Sequence, residues 1–221
     1  MLKDYLPFWN QLTQEERTLL ESAAQLHSFK KGTIMHRGAD DCTGLFLVTS
    51  GQLRAFTVSD EGRELTLYRM LDHDLCLFSA PCIMSSIQFD MFVEAEIDTT
   101  AYVIPPLVYK NLMDSSFAVA HYTNELMASR FSDVMWLIDQ VMNRRLDSRL
   151  AALLIEEEQL VGSNTLDITH EQLAKHLGSA REVVTRMLKY LHSEGLVELK
   201  RGRVNILDEQ RLRKLAGTSL R

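Results

Sequence analysis

The sequence predicts an α+β chain in three parts: a short helix leading into a β-roll of the jelly-roll type, one long helix, and a C-terminal winged helix-turn-helix. Three observations carry this reading. Between Lys30 and Ile104, short β-branched or alternating runs are punctuated by Gly32, Gly38, Gly44, Gly51 and Gly62, the texture of strands and tight turns. No glycine occurs from Arg63 through Val161, and after Pro105 and Pro106 the strand signal gives way to helical spacing. Residues 168–191, ITHEQLAKHLGSAREVVTRMLKYL, then describe two helices joined by a tight turn.

Taken in order, Thr13 with Glu16 three residues on forms a capping box, and Leu19, Leu20 and Ala23 follow at helical spacing, so the first helix spans this stretch and stops before Lys30. The clearest strand is 89–97: Phe89, Met91, Val93, Ala95 and Ile97 alternate with Asp90, Glu94 and Glu96, and Phe92 alone breaks the period of two. Within 117–142 the positions Ala120, Asn124, Met127, Phe131, Val134, Ile138 and Val141 step by four and three, a heptad seam suited to pairing with a second copy. Asn124 is the polar, register-setting member of that seam. Such a stripe could instead pack on the chain's own barrel, but the helix is longer than a small barrel needs. A further helix is predicted around 149–155, running into the acidic face of Glu156, Glu157 and Glu158. In the helix-turn-helix, Thr169 with Gln172 and Ser179 with Glu182 each form a capping box, Gly178 supplies the turn, and Leu173, Leu177, Val184, Leu188 and Leu191 share one core. The alternating run 198–206 folds back at Arg201 and Gly202 as a basic hairpin. The expected boundaries are 1–113 for the β-roll with its N-terminal helix, 114–143 for the long pairing helix, and 144–221 for the winged helix-turn-helix.

Composition narrows the function. With 221 residues, 46% of them apolar, the chain can bury real cores and is not a disordered polymer. No run approaches the ~20 apolar residues of a membrane span, and the N-terminus lacks the apolar core of a signal peptide, so a cytoplasmic protein without a membrane partner is expected. Three cysteines, at 42, 76 and 82, are too few and too irregular for a secreted disulfide framework. The net charge of −6 is unevenly placed: residues 1–162 carry 13 basic and 23 acidic side chains, whereas 163–221 carry 11 and 7. A basic end on an acidic whole suits phosphate contact by the last quarter of the chain.

The second helix of the pair states the chemistry. Arg181, Glu182, Thr185 and Arg186 form one strip opposite Val184 and Leu188. Arginine donates a bidentate pair to guanine O6 and N7, and glutamate accepts from cytosine N4. The first turns of such a helix are the part that reaches base edges in a major groove. Thr169, Ser179, Lys200, Arg201 and Arg203 are placed to approach the phosphate backbone. Double-stranded DNA is therefore the expected partner.

Residues 168–207 resemble the winged helix-turn-helix of the CRP/FNR family of bacterial transcription regulators, whose recognition helices carry an Arg-Glu-x-x-x-Arg strip that Arg181, Glu182 and Arg186 match without a gap. The likeness extends over nearly the whole chain, through LFLVTSGQLRAF, EGRELTLYRM and RLAALLIEE. It implies a cyclic-nucleotide-binding-like β-roll and a homodimeric one-component regulator in which the roll senses a signal and paired helices re-aim two DNA-reading helices. It implies a small effector, and contact with RNA polymerase if the protein activates. It implies no enzymatic activity.

The sensor half departs from relatives that clamp cyclic AMP with a glycine–glutamate pair and a nearby arginine. The stretch LDHDLCLFSAPCIMSSIQFDMFVEAE has no glycine, no arginine occurs between Arg69 and Arg130, and Phe78 and Phe89 stand where the acid and the arginine would be. Cyclic AMP is not expected, because a phosphate buried against phenylalanine lacks a compensating cation. Four readings of the cysteines stay open. They are small buried residues, a thiol switch between Cys76 and Cys82 closing one short loop, an iron–sulfur cluster, or haem on His73 or Cys76. Three cysteines fall short of the four ligands a cluster needs, and the N-terminal cysteine cluster of oxygen-sensing relatives is absent from residues 1–30. Two rival classes are a jelly-roll small-molecule-binding protein or enzyme with an accessory DNA-binding domain, and an architectural DNA-binding protein. His27, His36 and His73 are too scattered for the clustered metal ligands the enzyme would need, so no metal site is expected.

Overall fold

The computed structural model describes residues 1–38, 42–83 and 90–220. The chain divides into two compact units, Met1–Val58 with Leu67–Val134, and Ser59–Thr66 with Met135–Arg221.

In the first unit, Thr13 caps helix α1 (Gln14–Ala23): its Oγ1 accepts the Glu16 N–H at 3.2 Å, and the Glu16 carboxylate accepts the Thr13 N–H at 2.8 Å. Such a cap contributes ~1 kcal/mol. The helix ends well before Lys30, because Gln25–Phe29 form an edge strand, β1, that the sequence pattern does not announce. Four of its five side chains are exposed, so burial imposes no alternation; pairing with residues 99–103 and the half-buried Phe29, whose ring meets Phe46 at 6.0 Å, hold it. The remaining strands are β2 (Ile34–Arg37), β3 (Leu45–Ser50), β4 (Leu53–Val58), β5 (Glu64–Met70), β6 (Leu75–Cys76), β7 (Phe92–Ala95) and β8 (Thr99–Ile104). They form two four-stranded sheets, ordered β1-β8-β3-β6 and β2-β7-β4-β5.

Phe46, Val48 and Ala101 of one sheet meet Leu53, Ala55, Val93 and Ala95 of the other in a dry core. The far side of the first sheet packs Leu45, Leu47, Leu75 and Ile104 against Leu6 and Phe8 of the N-terminal turns and against Tyr109, Leu112 and Val119. A sheet covered on both faces needs unbroken apolar strands, which is why β3 begins Leu-Phe-Leu-Val without alternation. In the run 89–97, Met91, Val93 and Ala95 are buried as the alternation requires. Ile97 is exposed instead, because β7 has already ended at Ala95 and the chain is turning; Phe89 lies outside the described residues. Helix α2 (Pro106–Ser115) starts on a proline whose missing N–H costs nothing there. After the buried Ser116 comes α3 (Phe117–Asn143), 27 residues long.

The second unit is built on α4 (Leu146–Val161), which Gly162 ends at a φ of 67°. There follow β9 (Thr165–Leu166), α5 (His170–Leu177), α6 (Arg181–Ser193), β10 (Val197–Lys200), β11 (Arg203–Ile206) and α7 (Glu209–Ala216), with the three strands ordered β10-β11-β9. Leu150, Leu154, Leu173, Leu177, Val184, Leu188 and Leu191 share its core with Val197, Val204 and Leu212. No helix among the described residues is long and apolar enough to cross a membrane.

Candidate nucleic-acid interface

Helix α5 opens on a reciprocal cap. Thr169 Oγ1 accepts the Gln172 N–H at 3.2 Å, and Gln172 Oε1 accepts the Thr169 N–H at 2.8 Å. Its last turn is closed by Gly178 in the left-handed region, with the Ser179 N–H donating to the Ala174 carbonyl at 3.0 Å, and by Arg149, whose Nη2 donates to the Leu177 carbonyl at 2.8 Å. The second expected capping box does not form. The N-cap of α6 is Ala180, without a side-chain cap, because the Schellman-type turn after Gly178 consumes Ser179 and starts the helix one residue later. Glu182 is thereby left on the helix surface.

Arg181, Glu182 and Arg186 are exposed, and with Thr185 and Lys189 they line an open concavity of about 360 Å³. Lys189 was not singled out from the sequence, although it lies three residues from Arg186 and four from Thr185, the spacing that shares a helix face. Thr185 Oγ1 is 3.0 Å from His170 Nδ1, which ties the strip to the first turn of α5. Burial pushes the His170 imidazole below its ordinary range, and the charges of Arg181 and Lys189 push the same way. A cationic rim of this kind selects an anion.

The hairpin β10–β11 turns at Arg201 and Gly202, whose φ is 71°. Lys200 Nζ is 3.0 Å from Glu198 and Arg203 Nε is 2.6 Å from Asp167, both pairs at the surface. Such exposed pairs contribute only ~0–1 kcal/mol and can be exchanged for phosphate at little cost. Arg201 is exposed at the tip.

In the first unit, the sensor residues separate. His73 holds a φ of 75°, unusual for a residue with a Cβ, and its ring meets Tyr5 edge-on at 4.9 Å. Phe78 lies tilted against Tyr68 at 6.4 Å. Cys76 is buried between the sheets, where burial pushes its thiol up. Of the four readings of the cysteines, the switch between Cys76 and Cys82 does not match the structure: Cys82 is joined to Cys42, with a Cα separation of 6.1 Å. A hydrogen bond between the two segments explains this: Ser79 Oγ donates to the Gly44 carbonyl at 2.6 Å, which lays the turn after β6 beside the chain leading into β3. Cys76 points into the core while Cys82 stands outside it. The three cysteines therefore do not form one ligand set, and among the described residues no three His, Cys, Asp or Glu side chains converge as a metal site.

A cation that sequence reasoning missed enters the first unit from α3. Arg130 Nη2 is 3.0 Å from Asp74, its Nη1 is 3.2 Å from Asp133, and its guanidinium carbon sits 4.7 Å over the Tyr68 ring. Two carboxylates already complement this arginine.

The exposed face of α3 runs Phe117, His121, Asn124, Ala128, Phe131, Met135, Ile138 and Met142, again by fours and threes. Asn124, Phe131 and Ile138 lie on it as expected. Met127 does not; it is half-buried against the chain's own core, and Val134 is half-buried as well. Two seams offset by one position share every second member, and only the placement of the barrel decides between them.

Models of two protein families match the chain: the Crp-like helix-turn-helix domain over residues 148–215 and the Cyclic nucleotide-binding domain over 26–116. The crystal structure of a CRP/FNR-family transcriptional regulator from Eubacterium rectale ATCC 33656 is 56% identical, covers 96% of this chain and 99% of its own, and superposes with a TM-score of 0.94. The Cyclic AMP receptor protein of Thermus thermophilus is 27% identical over 210 residues, which are 95% of this chain and 96% of that protein. The Transcriptional activator protein FnrA of Stutzerimonas stutzeri is 26% identical over 201 residues, 86% of this chain and 80% of that protein.

Proposed function

Because the chain belongs to the CRP/FNR family of transcription regulators, with a cyclic-nucleotide-binding-type domain and a Crp-like helix-turn-helix, we propose that it acts as a homodimer on a two-fold DNA operator. Residues 1–113 serve as the sensor, 114–143 as the dimerisation helix, and 144–221 as the DNA-binding part. The observation that carries this reading is the continuous strip of Arg181, Glu182, Thr185, Arg186 and Lys189 on α6. Arg181, Glu182, Thr185 and Arg186 read base edges. Thr169, the N-cap of α5, and Ser179, in the turn before α6, meet phosphates together with Lys200, Arg201 and Arg203 on the hairpin. The apolar seam of α3 supplies the pairing surface, and its two-fold symmetry requires half-site centres about one helical turn apart, ~34 Å.

The effector in this reading is not cyclic AMP, because Arg130 is already held by Asp74 and Asp133. The protein works without catalysis, by re-aiming its two DNA-reading helices, and meets RNA polymerase if it activates. Selection from a random duplex library tests the whole: an enriched palindrome is expected. On that duplex, Arg186→Ala should lose ~1–3 kcal/mol per half-site and relax preference at one position, whereas Lys200→Ala should weaken all sequences alike. A folded protein that enriches no sequence, with and without thiol reductant, would overturn the proposal.

A further inference from the structure

We infer that Cys42 and Cys82 form a reversible thiol–disulfide site, a modification point through which the oxidation state of the surrounding thiol pool sets the packing of α2 and the start of α3. The thiol chemistry stands on the structure alone; its consequence for DNA rests on the regulator reading above.

The first argument is access. Cys82 is exposed in the short turn Pro81–Ile83 and Cys42 is half-buried, whereas Cys76 is enclosed between the sheets. A small disulfide can reach the first pair and not the third thiol. The second argument is preorganisation without the bond. The two segments are also tied by Ser79, fully buried, whose Oγ donates to the Gly44 carbonyl at 2.6 Å with the Cys76 carbonyl 3.1 Å away. The Thr43 hydroxyl donates to the Ser79 carbonyl at 3.5 Å across the same two segments. Breaking the bond therefore leaves the two sulfurs near one another, and closure can recur. The third argument is connection. Pro81–Ile83 packs on α2, and Cys42 packs on the cluster that holds Tyr109, Leu112 and Val119, the inward residues of α2 and of the first turn of α3.

The oxidant is a low-molecular-weight disulfide. The exposed Cys82 thiolate attacks one of its sulfurs and expels one thiolate; the Cys42 thiolate then attacks Cys82 Sγ in the mixed disulfide and expels the second. Two electrons pass to the small disulfide, which leaves as two thiols carrying the two protons lost by the cysteines. Excess small thiol reverses both steps.

The test equilibrates the full-length protein across a series of reduced-to-oxidised glutathione ratios. Free thiols are alkylated, the Cys42–Cys82 peptide is quantified by mass, and affinity for the selected duplex is measured at each ratio. The linked peptide should rise and fall as one two-electron transition, with Cys76 alkylated only after denaturation. Wild-type affinity should change ~5-fold or more across that transition, the lower bound of ordinary coupling between sites, and recover on reversing the ratio. Cys82→Ser and Cys42→Ser should hold one affinity throughout. A bond that persists at the most reducing ratio, never forms at the most oxidising one, or changes state with no more effect than in Cys82→Ser would overturn the inference. If no duplex binds in any state, the regulator reading fails separately. Amide-exchange protection of α2 in the wild type then decides this site: a change across the transition supports it, and equal protection in both states refutes it.

Discussion

Replacing Phe131 by alanine should split the dimer while leaving the protomer folded, and replacing Met127 by alanine should do the reverse. Phe131 is 68% exposed on α3. An aromatic side chain offers roughly 200 Å², so ~130 Å² stands free for a partner. At ~25 cal/mol per Å² this is ~3 kcal/mol per ring if fully covered, and two-fold symmetry counts it twice. Alanine keeps the Cβ and no seam covers a ring completely, which brings the expected loss to about half of that total, ~3 kcal/mol per dimer, or a hundredfold in the dimer dissociation constant. Met127 is half-buried against the chain's own core, so its truncation should cost the fold ~1–2 kcal/mol and the pairing little. Sedimentation across a concentration series measures the first effect, and thermal unfolding at fixed concentration measures the second. If Phe131→Ala dimerises like the wild type, or Met127→Ala dissociates more than Phe131→Ala, the seam has been placed on the wrong face.

Two further outcomes follow from the second unit. Gly178→Ala should destabilise by ~1–2 kcal/mol from its left-handed backbone alone, at φ +64°. It should cost more than Gly202→Ala, because the new Cβ would lie 3.0 Å from Leu65 Cδ1, while Gly202 at φ +71° faces open space; equal melting shifts for the two variants would exclude that contact. His170 should titrate below 6.5, and Arg181→Ala or Lys189→Ala should each move it up, followed by the ring-proton shifts of the imidazole. Since its folded value is depressed, neutral His170 favours the native state above the unfolded value, and that contribution is lost as pH falls through the folded one. Titration at or above 6.5 in the wild type would contradict the geometry around α6.

The parts of this protein governed by near neighbours were open to reading from the sequence. Thr13 with Glu16 and Thr169 with Gln172 cap their helices because three residues of spacing suffice to close each box, and Gly178 ends α5 because its backbone must turn left-handed. The strip on α6 was legible for the same reason: helical spacing alone puts Arg181, Glu182, Thr185 and Arg186 on one side. Even here the start of α6 moved, since the turn that consumed Ser179 depends on how the preceding helix closes. What the sequence could not decide lay in contacts between distant segments. The edge strand β1 leaves no alternation because only Phe29 of its side chains turns to the core, Arg130 finds Asp74 only once α3 lies beside the β-roll, and Met127 and Phe131 exchange roles according to which side that roll occupies. Cys82 meets Cys42 rather than the nearer Cys76 because the turn after β6, tied by Ser79 to the Gly44 carbonyl, returns to the segment before β3 while Cys76 stays in the core.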